Sequence, residues 1–283
     1  MTAAFVLSGG ASLGAVEVGM LQALSTAGIQ PDALYGTSVG AVNAAYIAGH
    51  PGRAGIDELA EVWKGIRRSQ VFPLRPLLGL EGFLGRKDHL VDPGPLRRLV
   101  HRHLTFERLE DAPIPLHVIA TDVITGRDRV FSSGSAAEAV LASAAIPGVF
   151  PPVVIDGEPF MDGGVTDNTP IAHAVAAGCN PIYVLPTGHP CSLETAPRGA
   201  LGMVLQAVTV MIGRQLVVDI ERFRNDVDLR VVPPLCPLDV LPVDFSRSAE
   251  LIARARVSTE EWLASGQPDH GAIHILAGDH DHR

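Results

Sequence analysis

Apolar residues gather in short runs near the start of the chain and recur at helical spacing between those runs. Residues 3–7 (AAFVL) form an unbroken apolar run stopped by Ser8-Gly9-Gly10, the pattern of a buried strand entering a glycine-rich turn. From residue 13 to residue 27, Val16, Met20, Leu21 and Leu24 repeat at helical spacing, and Gly28 supplies a stop. Residues 32–35 (DALY) predict a second strand, followed by Gly36-Thr37-Ser38-Val39-Gly40 and a small-residue helix over 41–48. Two strand–turn–helix units in so short a span predict an α/β fold on a mainly parallel sheet.

Further on, residues 115–120 and 129–132 read as strands, and residues 136–145 as a small-residue helix closed by Pro147. Residues 153–155 and 158–161 flank Asp156-Gly157, a hairpin signal. Residues 182–185 and 229–232 predict two more strands, and 248–264 a last helix. Between about 50 and 111 the periodicity weakens and Pro, Gly and Arg become frequent, which predicts a mostly helical insertion over one face of the sheet. The expected organisation is one domain over residues 1–265 and a polar tail over 266–283.

Composition narrows the function classes. There are 22 Lys+Arg against 31 Asp+Glu, a formal charge of −9. An acidic chain lacks the clustered cations that nucleic acid requires. Only Lys64 and Lys87 are lysines, so phosphate chemistry of the Walker type has few candidates. No Lys or Arg precedes Arg53, which argues against a secretory leader. The longest apolar stretch, 200–213, contains Gln206 and stops at Arg214, short of a membrane span. The expectation is a cytoplasmic protein with reduced Cys179, Cys191 and Cys236, and peripheral contact with a bilayer is left open.

Three elements carry candidate chemistry. Ser38 sits in G-x-S-x-G between a strand and a helix, where a tight turn makes a hydroxyl project. Ser8-Gly9-Gly10-Ala11-Ser12-Leu13-Gly14 is a turn whose backbone N–H groups suit an oxyanion or a phosphate, but it lacks the spacing of either nucleotide-binding glycine motif. Asp162-Gly163-Gly164 puts a carboxylate at a strand end beside a backbone able to approach closely. Two bases for Ser38 are open at this point: Asp162 directly, or a histidine held by an acid, with His173 the best placed.

These same pieces, LSGGASLGAVEVGMLQAL (7–24), YGTSVGAVNAA (35–45), ATDVITGR (120–127), ASAAIPGVFPPV (142–153) and FMDGGVTDNTPI (160–171), stand in an order that resembles the bacterial patatin-like phospholipases. The resemblance implies a three-layer α/β/α sandwich, Ser38 as nucleophile and Asp162 as its base. It implies backbone donors at Gly9, Gly10 and Ala11, with Gly14, Gly36, Gly40, Gly163 and Gly164 supporting the turns. The implied activity is hydrolysis of lipid acyl esters without metal or cofactor. Two positions depart from the family pattern: Ala11, where the loop usually has a third glycine, and Leu13, where Arg is frequent. Alternative readings are a weakly active or inactive lipid-binding relative and a Ser-His-Asp esterase.

Overall fold

The computed structural model describes residues 2–73, 88–188, 199–238 and 240–266. Strand β1 (Ala4–Leu7) explains the architecture by itself. Phe5 and Leu7 enter one apolar cluster, while Ala4 and Val6 enter another on the opposite side. A strand buried on both faces needs cover on both, which is why its whole sequence is apolar. Its parallel neighbours are β2 (Ala33–Thr37) and, on the other edge, β7 (Ile182–Leu185). Strand β3 (Leu116–Asp122) joins β2, and β8 (Leu229–Val231) joins β7, both parallel. Three antiparallel strands, β4 (Asp128–Phe131), β5 (Val153–Ile155) and β6 (Glu158–Asp162), finish the sheet next to β3. The order is β5-β6-β3-β2-β1-β7-β8, with β4 paired to β3.

The α-helices among the described residues are α1 (Gly14–Thr26), α2 (Val39–Gly49), α3 (Arg53–Gly65), α4 (Arg68–Val71), α5 (Gly94–His103), α6 (Ala136–Ser143), α7 (Ile171–Ala176), α8 (Gly199–Phe223) and α9 (Ser248–Ala264). Helices α1, α2, α3, α5, α6 and α9 cover one face, through residues such as Val16, Ala41, Ile56, Leu96, Leu141 and Leu251. Helices α7 and α8 cover the other through Ile171, Ala174, Leu216, Ile220 and Phe223. The result is the three-layer sandwich that the motifs imply. The described part of residues 50–111 carries α3, α4 and α5, and the expected hairpin forms with Asp156 and Gly157 both at positive φ.

The apolar stretch that ends at Arg214 belongs to helix α8, which continues to Phe223: Arg214 lies on its exposed side while Leu216, Ile220 and Phe223 reach the core. Met203, Val208 and Met211 of the same helix are exposed. The thiols differ from the expectation, since Cys179 is free and buried but Cys236 is disulfide-bonded. Cysteine spacing alone carries no information on such a pairing. Cys191 and residues 267–283, the greater part of the expected tail, lie outside the described residues.

A polar network runs through the core behind the glycine-rich turn. Glu17, wholly buried in α1, accepts from Asn43 Nδ2 at 2.8 Å, and Asn43 Oδ1 accepts from Trp63 Nε1 at 2.8 Å. The second carboxyl oxygen of Glu17, Oε1, has no partner among the described residues. Burial holds this carboxyl well above the usual 4.5, against the opposing pull of Asn43 and the Ser8 N–H. A group raised in this way stabilises the fold fully below its unfolded pKa and loses that contribution as pH rises through its folded pKa. Glu17→Gln cannot ionise, so its melting temperature should match wild type near pH 4 and exceed it increasingly toward pH 9. A constant gap across that range in thermal melts would contradict the buried neutral acid.

Candidate active site

Sheet register brings the first and third chemical elements together. Thr37 at the end of β2 pairs with Ile119, and the next residue of β3, Ala120, pairs with Asp162 at the end of β6. Ser38 and Asp162 therefore converge at one level of β3, at the carboxyl ends of the parallel strands, where open α/β sheets place their sites. Ser38 Oγ donates to Asp162 Oδ2 at 2.7 Å. Both residues are nearly enclosed, at 7% and 6% exposure.

Ser38 occupies a strained turn, with φ 55° and ψ −122°, immediately before α2. Its N–H donates to Ser143 Oγ at 2.8 Å. Asp162 Oδ1 accepts from Gly164 N–H at 2.8 Å, and the Asp162 carbonyl accepts from Thr121 Oγ1 at 2.9 Å. Burial pushes the Asp162 carboxyl up to about 6, opposed by the hydrogen bonds from Ser38 and Gly164. The pair is a hydroxyl already aimed at a carboxylate whose proton affinity is unusually high for aspartate.

The glycine-rich turn abuts this pair. A Cβ on Gly9 would lie 3.2 Å from Ser38 Cβ and 2.3 Å from Asn168 Oδ1, so no side chain fits there. Gly9 itself corrects the expectation of three donors. Its N–H donates to the Asn168 carbonyl at 3.1 Å, and its own carbonyl accepts from Asn168 Nδ2 at 3.3 Å and Thr187 Oγ1 at 2.7 Å. Gly9 is thus a clamp between two loops. The N–H groups of Gly10 and Ala11 have no acceptor among the described residues. Ala11 adopts φ 51°, the left-handed region where a glycine would be unstrained, yet it keeps its N–H. Leu13, at the other departure, packs against the apolar core.

His173 is drawn into a different cluster. Its Nε2 lies 2.9 Å from Asp128 Oδ2 and 3.5 Å from Asp167 Oδ2, and no hydrogen bond links it to Ser38 among the described residues. Burial pushes Asp167 up to about 6, with His173 pulling it down and Asp219 and Asp128 raising it further. The Asp167 carbonyl accepts from Thr37 Oγ1 at 2.9 Å, which ties the loop that follows Asp162 to the residue before Ser38. Motif reading did not pick out Ser143 or Thr187. Ser143 lies inside a quoted motif, but its neighbours read only as small helix residues; Thr187 had no signal.

The class defined by this fold and site is an α/β protein with a serine on a strand-to-helix turn facing a buried aspartate. Residues 5–175 match the family described as patatin-like phospholipase. The chain belongs to that family, whose members are lipid hydrolases. It is 30% identical over 189 residues to patatin-like phospholipase domain-containing protein 6 of Homo sapiens, covering 66% of this chain and 13% of that protein. An uncharacterised NTE family protein of Mycobacterium tuberculosis is 31% identical over 175 residues, covering 60% of this chain and 44% of that one. Lysophospholipase NTE1 of Mycosarcoma maydis is 27% identical over 215 residues, with 76% and 11% covered. The match thus spans 44% of the mycobacterial relative and 13% or less of the other two. The crystal structure of VipD from Legionella pneumophila shares the fold, with a TM-score of 0.51, 16% identity, and 93% of this chain and 67% of that chain covered. No helix among the described residues is long and apolar enough to cross a membrane.

Proposed function

We propose that this chain hydrolyses carboxylic esters of lipids through Ser38 and Asp162, by way of an acyl-enzyme. The observation that carries the proposal is the 2.7 Å hydrogen bond from Ser38 Oγ to Asp162 Oδ2. Asp162 takes the hydroxyl proton as Oγ bonds to the ester carbonyl carbon, and the carbonyl oxygen becomes an oxyanion. Gly10 and Ala11 N–H donate to that oxyanion, an interaction that strengthens as charge develops. The C–O bond to the alcohol breaks, and the alcohol leaves with the proton from Asp162. Water then repeats the sequence: Asp162 removes its proton, the acyl–Oγ bond breaks, and fatty acid is released with Ser38 restored.

The raised carboxyl serves this chemistry, because a base works best when its pKa approaches the working pH. Leu13 turns apolar surface inward at the position where the family often carries Arg, so the turn offers no cation there. That favours neutral acyl esters and lysolipids over substrates held by a phosphate.

The test is hydrolysis of a p-nitrophenyl acyl ester series and a lysolipid panel, with fluorophosphonate labelling of Ser38. Activity should rise as pH increases through about 6, since the base must be ionised. His173→Ala should keep most of this activity. An unlabelled, folded wild type that cleaves none of these substrates would overturn the proposal. A dead but folded His173→Ala would favour a histidine base instead.

A further inference from the structure

The C-terminal end of α6 touches both members of the Ser38–Asp162 pair. Ser143, wholly buried, uses its hydroxyl twice: Oγ accepts from Ser38 N–H at 2.8 Å and donates to the Ile119 carbonyl at 2.5 Å. Two residues on, the Ala145 carbonyl accepts from Asp162 N–H at 2.9 Å. One short segment therefore fixes the backbone of each reacting residue, and does so against the middle strand β3 that separates them in the register.

We infer that this segment is a gauge that sets the separation of nucleophile and base, and that Ser143 is a positioning residue for the hydrolysis. The inference rests on the dyad reading above. Ser38 holds a sparsely populated, strained conformation, and its N–H precedes the hydrogen-bonded turns of α2. Without an acceptor at that N–H, the peptide joining Thr37 to Ser38 is free to rotate toward a relaxed conformation. Rotation swings Oγ away from Asp162 Oδ2. Only a hydroxyl-sized group that both accepts and donates fits here, because the same oxygen must also satisfy the Ile119 carbonyl. The effect on rate is large for a small movement, since displacement of about 1 Å in a reacting group can cost about 100-fold.

The experiment compares wild type, Ser143→Ala and Ser143→Cys by the rate of fluorophosphonate labelling at Ser38 and by steady-state hydrolysis of a soluble p-nitrophenyl ester, with folding checked by circular dichroism. Ser143→Ala should label and turn over about 10- to 100-fold more slowly, with KM changed by less than about two-fold. Ser143→Cys, which keeps a weaker donor and acceptor, should fall between. The pH midpoint of kcat should stay near 6 in both, because Asp162 remains buried. A midpoint falling toward the ordinary 3.8 would mean that the site had simply opened, and would overturn the gauge. So would a folded Ser143→Ala that labels like wild type. If the alanine variant does not fold, Ser143→Cys decides, and labelling equal to wild type overturns the inference. A wild type that never labels removes the dyad reading and this inference together, whereas a labelled wild type beside an equally labelled alanine variant removes only the inference.

Discussion

Asp162→Asn should lower ester hydrolysis by a factor on the order of 10⁴ or more, yet leave a protein at least as stable as wild type at pH 8. The two halves of that result come from one cause. The carboxylate is the proposed base, and an amide cannot take the Ser38 proton at any useful pH. The same carboxyl is pushed up to about 6 by burial, so its ionisation opposes folding once pH passes that value. The sign follows from linkage: a folded pKa above the unfolded one gives stability at low pH that disappears as pH rises through about 6. Against the ordinary 3.8, the shift corresponds to about 3 kcal/mol at alkaline pH. Asparagine keeps an oxygen for the Gly164 N–H and an amide toward Ser38 Oγ, and it removes that penalty. Ser38→Ala should be equally inactive, and its backbone should remain fastened to Ser143. Thermal melts at pH 5 and pH 8 beside the ester assay check both statements. A stable Asp162→Asn with more than about a tenth of wild-type activity would remove Asp162 from the chemistry.

Gly40→Ala should be strongly disruptive for a single added methyl near the site. A Cβ there would stand 2.4 Å from the Leu7 carbonyl oxygen and 2.7 Å from that of Ser8. Both are backbone atoms of the sheet's central strand and the turn it enters, so neither can rotate aside. The methyl must instead push the start of α2 away from β1, and Ser38 sits on that moving end. The expected cost is about 3 kcal/mol, at the upper end of ordinary overpacking. For a domain of this size that lowers the melting temperature by roughly 6–12 °C. Turnover per folded molecule should fall as well. Gly65→Ala is the control: nothing lies within 4 Å of its Cβ, and its melting temperature should hardly change. Equal behaviour of the two variants in thermal melts would mean that α2 accommodates the methyl.

The sequence pattern makes the sandwich legible because each central strand is buried on both faces and each turn is marked by glycine. Ser38 and Asp162 are legible for a related reason: both lie where an apolar run gives way to small residues. What the pattern does not carry is pairing across the chain. Gly9 reads as one more oxyanion donor, and only contact with Asn168, 159 residues away, shows that its N–H is already engaged. Ser143 looks like any small helix residue until the loop of Ser38 is folded against it. Glu17 had a visible signal, a lone carboxylate between Val16 and Val18, but its meaning depends on Asn43 and Trp63 arriving from α2 and α3. The disulfide at Cys236 escaped for the same physical reason. Local spacing records what a segment can form, whereas its partners decide what it does form.

The wide separation in sequence of the two reacting groups has a consequence for the chain during its synthesis. Ser38 and Asp162 are 124 residues apart and meet only when β6 has paired with β3. Contacts of such long range form late, because the closure entropy of the intervening loop must be met first. An emerging chain that has already built β1, α1, β2 and α2 holds Ser38 without Asp162 beside it. On the proposed mechanism, ester cleavage therefore awaits the docking of the β5–β6 hairpin on β3.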